Sequence, residues 1–232
     1  MGSASRDQGQ HFHDESGHRA LAVDPKKKVL EASERKEEER NQWREDIQER
    51  DASKFVFLDE SGSNIALTRL YARAPKGKRA RGTLPRNRGK NMTLISSLSL
   101  QGIGASLIVD GAANSELFAI YIEQILAPTL EPGQIVIMDN LKIHKGQKVR
   151  QAIEARGCQL LFLPAYSPDL SPIEEAFSKI KAILRRMGAR SREALQEALE
   201  YALTTVSASD ASGWFRHCGY SPAQQQLRKA HE

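Results

Sequence analysis

The feature that most constrains the fold is the order of strand-like and helical patterns after residue 53. Three apolar runs of strand length come first, "KFVFLDES", "NMTLISSLSL" and "GASLIVDG", and the turn signal "QGIG" separates the last two. Helical and strand patterns then alternate, with further strands in "GQIVIMDN" and "CQLLFLPA". Three consecutive strands favour an antiparallel meander, and the later alternation favours parallel crossover units. We therefore predict an α/β fold in which helices flank a mixed five-stranded sheet.

Helical patterns fill the spaces between and after these strands. "NSELFAIYIEQIL" begins with a capping residue, "KGQKVRQAIEARG" ends at Gly157, a helix runs from about Pro172 to Met187, and "SREALQEALEYALTTV" follows it. A charged stretch with few apolar positions, "VLEASERKEEERNQWREDIQERD", precedes the first strand and indicates a connecting helix. The predicted organisation is a disordered tail and charged linker helix at 1–53, a globular domain at 54–220 and a C-terminal tail at 221–232.

The composition excludes several classes of protein. No apolar run approaches the length of a membrane-spanning helix, and the N-terminal residues lack the apolar segment of a secretory signal. The two cysteines, Cys158 and Cys218, are far apart in the chain and do not form a C-x-x-C pair. We therefore expect reduced thiols in an intracellular protein, without a disulfide, a zinc site or a membrane partner.

Positive charge is concentrated in Arg69–Lys90, "RLYARAPKGKRARGTLPRNRGK", which contains nine basic residues and no acidic residue. Such a run suits phosphate contacts, because each Lys or Arg that neutralises a phosphate releases counterions. A solvated loop is the ordinary alternative, but the interleaved tyrosine, glycines and prolines favour a shaped hairpin or arm. We predict that DNA is contacted by Arg73, Lys76, Lys78, Arg79, Arg81, Arg86, Arg88 and Lys90.

Two of the predicted strands share an acidic ending. "FVFLD" and "IVIMD" are each four apolar residues followed by an aspartate, Asp59 and Asp139. Alternate residues of a strand face the same side, so each aspartate shares a face with apolar neighbours that disfavour a lone negative charge. A positive partner, a neutral pair or a bound cation would resolve this conflict. Aspartate is also a common turn residue after a strand, which is the ordinary alternative for either residue alone.

A rigid acidic turn follows the fifth predicted strand. In "LPAYSPDLSPIEEAF", Pro168 and Pro172 restrict the backbone, Ser171 can cap the next helix, and Pro172 suits its first position. A carboxylate in the first helical turn would thereby have a defined position, as metal chemistry requires. Glu174 and Glu175 could instead simply complement the helix dipole. Helical periodicity does not decide between them, because both lie about equally far from the centre of the apolar stripe.

These residues resemble a known family. "FLDES", "IMDN" and "LPAYSPDLSPIEEAF" are similar, in this order, to the three acidic motifs of mariner-like DDE transposases, especially the bacterial insertion sequence 630 family, and the resemblance covers about Phe55 to Tyr220. In that family the third acid is the glutamate directly after "PI", and 34 residues separate it from the second aspartate, as they separate Glu174 from Asp139 here. The resemblance implies a ribonuclease-H-like fold and a DDE catalytic domain at 54–220 with Asp59, Asp139 and Glu174 as catalytic and metal-binding residues.

The resemblance also implies a reaction and its partners. Three carboxylates would hold two Mg²⁺ ions, with Mn²⁺ as a substitute, for cleavage of DNA at the element ends and strand transfer to a TA target. A homodimer in the active complex and a location in the bacterial cytoplasm, at the nucleoid, are expected. Asn140 and His144, in "MDNLKIHK", are candidate accessory residues. His144 could contact phosphate or order the site, or it could be an exposed loop histidine.

Residues 1–53 contain no evident counterpart of the paired helix-turn-helix domains that recognise element ends in this family. The expectation is a catalytic domain without its recognition module. The alternative is a catalytically silent transposase remnant that acts as a non-specific DNA-binding or dimerisation module. The presence of all three acids favours the active enzyme. A ribonuclease H or resolvase-like nuclease is disfavoured by the long match of "YSPDLSPIE".

Overall fold

Five strands form one mixed sheet in the computed structural model, which describes residues 33–221. The strands are β1 (Phe55–Ser63), β2 (Met92–Ser99), β3 (Gly102–Asp110), β4 (Ile135–Met138) and β5 (Gln159–Phe162). Their order is β3-β2-β1-β4-β5. The β1–β2 and β2–β3 pairs are antiparallel, whereas β1–β4 and β4–β5 are parallel. The predicted meander followed by parallel crossover units is confirmed.

The first strand is longer than its apolar run predicts. The sequence indicates a strand that closes with its acidic residues, but β1 continues to Ser63. The reason is its pairing with β2, which runs from Phe57↔Leu98 to Ser63↔Met92. Pairing with β4, by contrast, covers only Phe55–Leu58. Pairing with β2 therefore extends β1 beyond Leu58, where its pairing with β4 ends.

Helices cover both faces of this sheet. They are α1 (Glu37–Gln48), α2 (Ser115–Tyr121), α3 (Gln147–Glu154), α4 (Pro172–Met187), α5 (Arg192–Thr204) and α6 (Ala208–His217). Asn114, Ser191 and Ser207 cap α2, α5 and α6 through their side chains, which satisfies backbone N–H groups at the helix starts. None of the helices in the described part of the chain has the length and apolar character required to cross a bilayer.

Alternate residues of the central strands pack into two separate cores, as the two-residue period of a strand requires. One core contains Phe55, Phe57, Ile135 and Ile137 together with residues of α4, α5 and α6. The other core contains Val56, Leu58, Val136 and Met138 together with residues of α2 and α3. Both faces of β1 and β4 are buried, which explains why these strands read as continuous apolar runs.

The helix α1 contributes more to the packing than a connecting helix would. Ile47 belongs to the α4-side core and Trp43 packs against it. Arg40 is fully buried, and its guanidinium group binds Asp169. The interpretation of this stretch as a connector is therefore wrong at residues 37–48, since its attachment uses a buried arginine that an apolar pattern does not reveal. The domain boundaries stay predictions, and the predicted tails lie mostly outside the described residues.

The chain between β1 and β2 contains the predicted basic arm, Arg69–Lys90. No helix or strand forms within residues 64–91, so the arm is irregular rather than a hairpin of paired strands. One turn is closed by the Lys78 N–H, which donates to the Pro75 carbonyl at 2.9 Å. At the base of the arm, the Asn64 Nδ2 atom donates to Asn91 Oδ1 at 3.1 Å. This bond joins the two ends of the segment beside Ser63↔Met92, the last pair of β1 with β2.

Candidate active site

Two aspartates lie side by side where β1 and β4 separate. The last pair in the parallel register is Leu58↔Met138, so Asp59 and Asp139 are the next residue on each strand. Strand alternation directs both toward the face that packs against α4. In α/β sheets, the carboxyl ends of parallel strands are the usual location of functional sites. The two aspartates lie side by side because each follows an apolar run of four residues and the two runs pair residue by residue.

The third acid, Glu174, lies in the first turn of α4. The chain leaves β5 at Phe162, forms a short 3₁₀ turn at Pro168–Leu170 and enters α4 at Pro172. Ser171 occupies the N-cap position, but its side chain makes no capping hydrogen bond, contrary to the sequence prediction. The preceding loop already fixes the helix start, because the Ser171 carbonyl accepts from the Glu174 N–H at 3.1 Å.

Contacts from distant parts of the chain hold this proline-rich segment. The Nη1 and Nη2 atoms of Arg40 donate to Oδ1 and Oδ2 of Asp169 at 3.0 and 2.6 Å. The Tyr220 hydroxyl donates to the Leu170 carbonyl at 2.5 Å, and the Trp43 Nε1 atom donates to that hydroxyl at 3.3 Å. The loop that leads into Glu174 is thus tied to α1 and to the C-terminal end of the described chain.

The three predicted acids line a single open cavity of about 330 Å³. Its other walls are formed by the segment after β4 and by the proline-rich segment, with Asn140, Leu141, Leu163, Pro164, Ala165, Tyr166, Ser167, Pro168 and Ser171. Glu175 does not line this cavity. Its Oε1 atom instead contacts Nδ1 of His217 at 2.5 Å. The two adjacent glutamates, which sequence periodicity could not separate, therefore have different surroundings.

The electrostatics of the cavity are those of an acidic cluster around Asp59. The pKa of Asp59 is raised to about 7, mainly by burial and further by the neighbouring carboxylates of Glu174, Asp139 and Glu60. The Glu60 N–H donates to Asp59 Oδ1 at 2.7 Å and opposes this shift only in part. Asp59 is consequently about half protonated near neutral pH, and a cation in the cavity would relieve the repulsion.

His144 lies beside the cavity, where it joins Asp139 to Glu60. The ring is fully buried and packs against Phe118, with 4.4 Å between the ring centroids. Its Nδ1 atom lies 2.5 Å from Asp139 Oδ1, and its Nε2 atom lies 3.0 Å from Glu60 Oε2. Burial lowers the pKa of His144, but the two carboxylates raise it more, to about 10. A cationic His144 therefore compensates the charge of both acids.

These contacts correct one expectation and add one residue. The interpretation of His144 as an exposed loop histidine is wrong, because the 3₁₀ turn Lys142–Lys145 directs the ring inward. Glu60 was not identified from the sequence. The only signal for it is the second acid of "FLDES", which resembles an ordinary solvated charge. Asn140 is exposed at the rim of the cavity, next to Asp139.

The residues of the cavity suit a divalent cation by their chemistry. Within residues 33–221, no group of three His, Cys, Asp or Glu side chains is close enough to form a ready metal site. Mg²⁺, however, binds hard carboxylate oxygens and is usually held by one or two of them, with water and phosphate as the remaining ligands. Asp59, Asp139 and Glu174 supply such oxygens in the lining of one cavity.

The predicted DNA-binding residues do not line this cavity. Arg73, Lys76, Lys78, Arg79, Arg81, Arg86, Arg88 and Lys90 are all exposed on the basic arm. Tyr166, whose role the sequence left open, is 57% exposed and has a left-handed backbone with φ of 57°. A bulky residue in this conformation is strained, which is common at ligand-binding positions.

Comparison with solved structures defines the class of fold. The chain is similar to the structure of a pre-cleavage Mos1 transpososome, with a TM-score of 0.66 and 19% identity over 86% of this chain and 64% of that chain. It is also similar to the Mos1 transposase catalytic domain with Raltegravir and Mg, with a TM-score of 0.59 and 19% identity over 82% of this chain and 90% of that chain. The chain thus has the ribonuclease-H-like fold and spans about two thirds of the longer transposase chain.

The family follows from the sequence match. The family model described as DDE superfamily endonuclease matches residues 54–196, which is more than half of the chain. The protein therefore belongs to the DDE superfamily endonucleases. No curated protein sequence matches the chain. The match includes the stretches that carry Asp59, Asp139 and Glu174.

Proposed function

We propose that this chain is the catalytic domain of a mariner-like transposase of the insertion sequence 630 type. It would cut DNA at the ends of a mobile element and join the 3′-end to target DNA. One observation carries the proposal: Asp59, Asp139 and Glu174, from three separate motifs, line one open cavity in a member of the DDE endonucleases. The alternative of a silent DNA-binding remnant is not favoured, because all three acids are present.

Asp59, Asp139 and Glu174 are the residues that would hold two Mg²⁺ ions, or Mn²⁺ in their place. When bound, the ions activate the attacking hydroxyl and stabilise the leaving oxygen of an in-line displacement at phosphorus. The raised pKa of Asp59, about 7, supports a cation-binding role, because burial and the neighbouring carboxylates disfavour its negative charge, which a bound cation would compensate. Protons and cations therefore compete for Asp59 near neutral pH.

His144 would act as a positioning residue for this site. Its contacts with Asp139 and Glu60 fix the orientation of the Asp139 carboxylate, with Oδ1 facing the imidazole ring. The Leu141 N–H donates to the same oxygen at 3.2 Å. Within the described residues, the other oxygen, Oδ2, has no hydrogen-bond partner, which leaves it available to the cavity. Asn140, at the rim, would contact substrate.

The substrate would be duplex DNA held by phosphate contacts. The exposed arginines and lysines of the basic arm supply charge that is indifferent to base sequence. We further propose that the active complex is a homodimer that acts on two element ends and a TA target, in the bacterial cytoplasm at the nucleoid. Mos1 structures that contain paired transposon ends support DNA as the partner.

Nicking of supercoiled plasmid DNA tests the proposed chemistry without knowledge of the element ends. The wild-type chain should nick plasmid in Mg²⁺ or Mn²⁺ and not in excess chelator. Asp59→Asn and Asp139→Asn should abolish nicking. Glu123→Gln is a matched control, because this carboxylate is exposed beside α2 and away from the cavity.

Each result of this assay has a defined meaning. Nicking by Asp139→Asn at the wild-type rate would contradict the proposed site. Metal-dependent nicking of RNA–DNA hybrids but not of duplex DNA would instead indicate a ribonuclease H. Joining of a pre-cut 3′-end to plasmid at TA dinucleotides would support strand transfer in addition to cleavage.

A further inference from the structure

A second cavity, of about 540 Å³, lies between the basic arm and the C-terminal end of α4. Five arginines line it, and no acidic residue does. Arg69 and Arg81 belong to the arm, and Arg185, Arg186 and Arg190 come from the end of α4 and the turn after it. We refer to this cavity as the arginine groove. Of these five arginines, only Arg81 is among the residues that the sequence predicts to contact DNA.

The arm is attached to this wall by hydrogen bonds to the backbone. The Nη1 atom of Arg190 donates to the Ile65 and Leu67 carbonyls at 3.0 and 2.9 Å. The Nη2 atom of Arg69 approaches the Arg186 carbonyl at 3.4 Å. These acceptors are neutral, so the contacts position the arginines without cancelling their charge. The arm and the end of α4 therefore form two walls of one groove.

The charge of the groove has no internal partner in the described structure. Among residues 33–221, none of the five arginines forms an ion pair with Asp or Glu. The helix dipole favours cations near the last turn of α4, which accounts for Arg185 and Arg186 in part. It does not account for Arg69 and Arg81, which come from another segment. Clustered positive charge in a concave surface attracts an extended anion such as a phosphate backbone.

The helix α4 connects the groove to the candidate active site. Glu174 is in its first turn and Arg186 in its last, twelve residues later. At 1.5 Å per residue, this separation is about 18 Å along the helix axis. Because phosphates of one strand are about 3.4 Å apart along a duplex, a DNA segment parallel to α4 would span the distance in roughly five base pairs.

We propose that the arginine groove binds the phosphate backbone of the same duplex that is cut at the acidic cavity, roughly five base pairs from the scissile phosphate. The inference rests on the proposed DNA cleavage, because the distance is counted from Glu174. The groove has the positive charge that a phosphate backbone requires. One strand of the DNA backbone would lie between its two walls. Its contacts are independent of base sequence.

The test measures DNA affinity at several salt concentrations. Fluorescence anisotropy with a labelled 30-base-pair duplex compares the wild-type chain with Arg185→Gln/Arg186→Gln. The matched control is Arg44→Gln/Lys148→Gln, which removes the same charge from a partly buried position on α1 and an exposed position on α3, as the groove variant does at Arg185 and Arg186. The groove variant should reduce the slope of log K against log salt by up to about 1.8, or about 0.9 per lost contact. The control should leave the slope close to that of the wild type.

A second measurement locates the contact. In a duplex with a mapped cleavage position, a neutral methylphosphonate is placed at successive phosphates. Substitution roughly five base pairs from the cut should weaken wild-type binding and should have no further effect on the groove variant. Equal weakening at all positions would overturn the proposed placement.

Other outcomes overturn the proposal in different ways. A groove variant that loses thermal stability but keeps the wild-type salt slope would show that these arginines only stabilise the helix end. A variant that alters sedimentation of the DNA-free protein, with unchanged DNA affinity, would make the groove an interface between copies of this chain. Absence of cleavage by the wild-type chain would refute the proposed function, whereas cleavage with unchanged slopes would refute the groove alone.

Discussion

The ion pair between Arg40 and Asp169 offers a quantitative test of how the loop before Glu174 is held. Arg40 is fully buried in α1, and its two Nη atoms bind both oxygens of Asp169 at 3.0 and 2.6 Å. This bidentate geometry is the strongest form of a protein ion pair. The perturbation is Arg40→Met, which removes the charge and the donors and retains an apolar stem of similar length.

The expected loss of stability depends on how deeply each partner of the ion pair is buried. Two charge-assisted hydrogen bonds together contribute about 3–6 kcal/mol before compensation. The Asp169 side chain is 52% exposed, so water can hydrogen-bond to its carboxylate when Arg40 is absent and offset much of the lost interaction energy. Arg40→Met also removes the desolvation cost of the buried guanidinium. A net loss of about 1–2 kcal/mol is expected, which lowers Tm by roughly 2–8 °C for a domain of this size.

Thermal unfolding of the wild type and three variants, compared as a double-mutant cycle, measures the contribution of this ion pair to stability. Asp169→Asn should destabilise the fold more than Arg40→Met or the double variant, because it leaves the buried Arg40 guanidinium without its main counter-charge, and the effects of the two single changes should not add. Metal-dependent nicking should also fall in all three at temperatures where they remain folded, since the loop that positions Glu174 is released. Additive effects of the two single changes, or Arg40→Met with wild-type Tm and wild-type nicking, would refute the reasoning.

Further predictions concern other parts of the chain. Lys179 and Ser207 lower the pKa of Asp210 to about 2, so its contribution to stability is present above pH 4 and is lost as the pH falls to 2. Asp210→Asn should accordingly lower Tm at pH 7 and lower it less at pH 2. Replacement of four arm arginines by Ala should weaken binding similarly on all duplexes and flatten the salt dependence by up to about 0.9 per lost contact; the four are Arg79, Arg81, Arg86 and Arg88. Tyr166→Gly should reduce nicking without a loss of Tm, because glycine relieves the positive φ and the ring is mostly exposed. Unchanged nicking would exclude a substrate contact by this ring.

The elements that could be predicted from the sequence are those specified by local patterns. The apolar runs of β1 and β4 and the start of α4 at Pro172 are local features, and they place Asp59, Asp139 and Glu174 on known elements. Strand alternation and the parallel pairing of β1 with β4 then bring the two aspartates together.

The features that could not be predicted depend on contacts between distant residues. The bond between His144 and Glu60 joins positions 84 residues apart, and the Arg40–Asp169 pair joins positions 129 residues apart. Both involve polar groups, which carry no periodic signal. The extension of β1 to Ser63 depends on its partner β2. Glu175 differs from Glu174 in its contact with His217 of α6. The helical pattern of α4 carries no information about a contact with another helix.

The most direct test of the central claim compares Glu174→Gln with Glu175→Gln in metal-dependent DNA nicking. The two residues are adjacent, have the same side chain and differ in that only Glu174 lines the acidic cavity. Loss of a carboxylate that holds a catalytic ion removes several kcal/mol of transition-state stabilisation, and each 1.36 kcal/mol is a factor of ten in rate. Glu174→Gln should therefore lower the nicking rate by roughly 100-fold or more, and Glu175→Gln should retain a rate within a few-fold of the wild type. Equal loss in both variants, or a greater loss in Glu175→Gln, would contradict the assignment of the third acid and with it the proposed site.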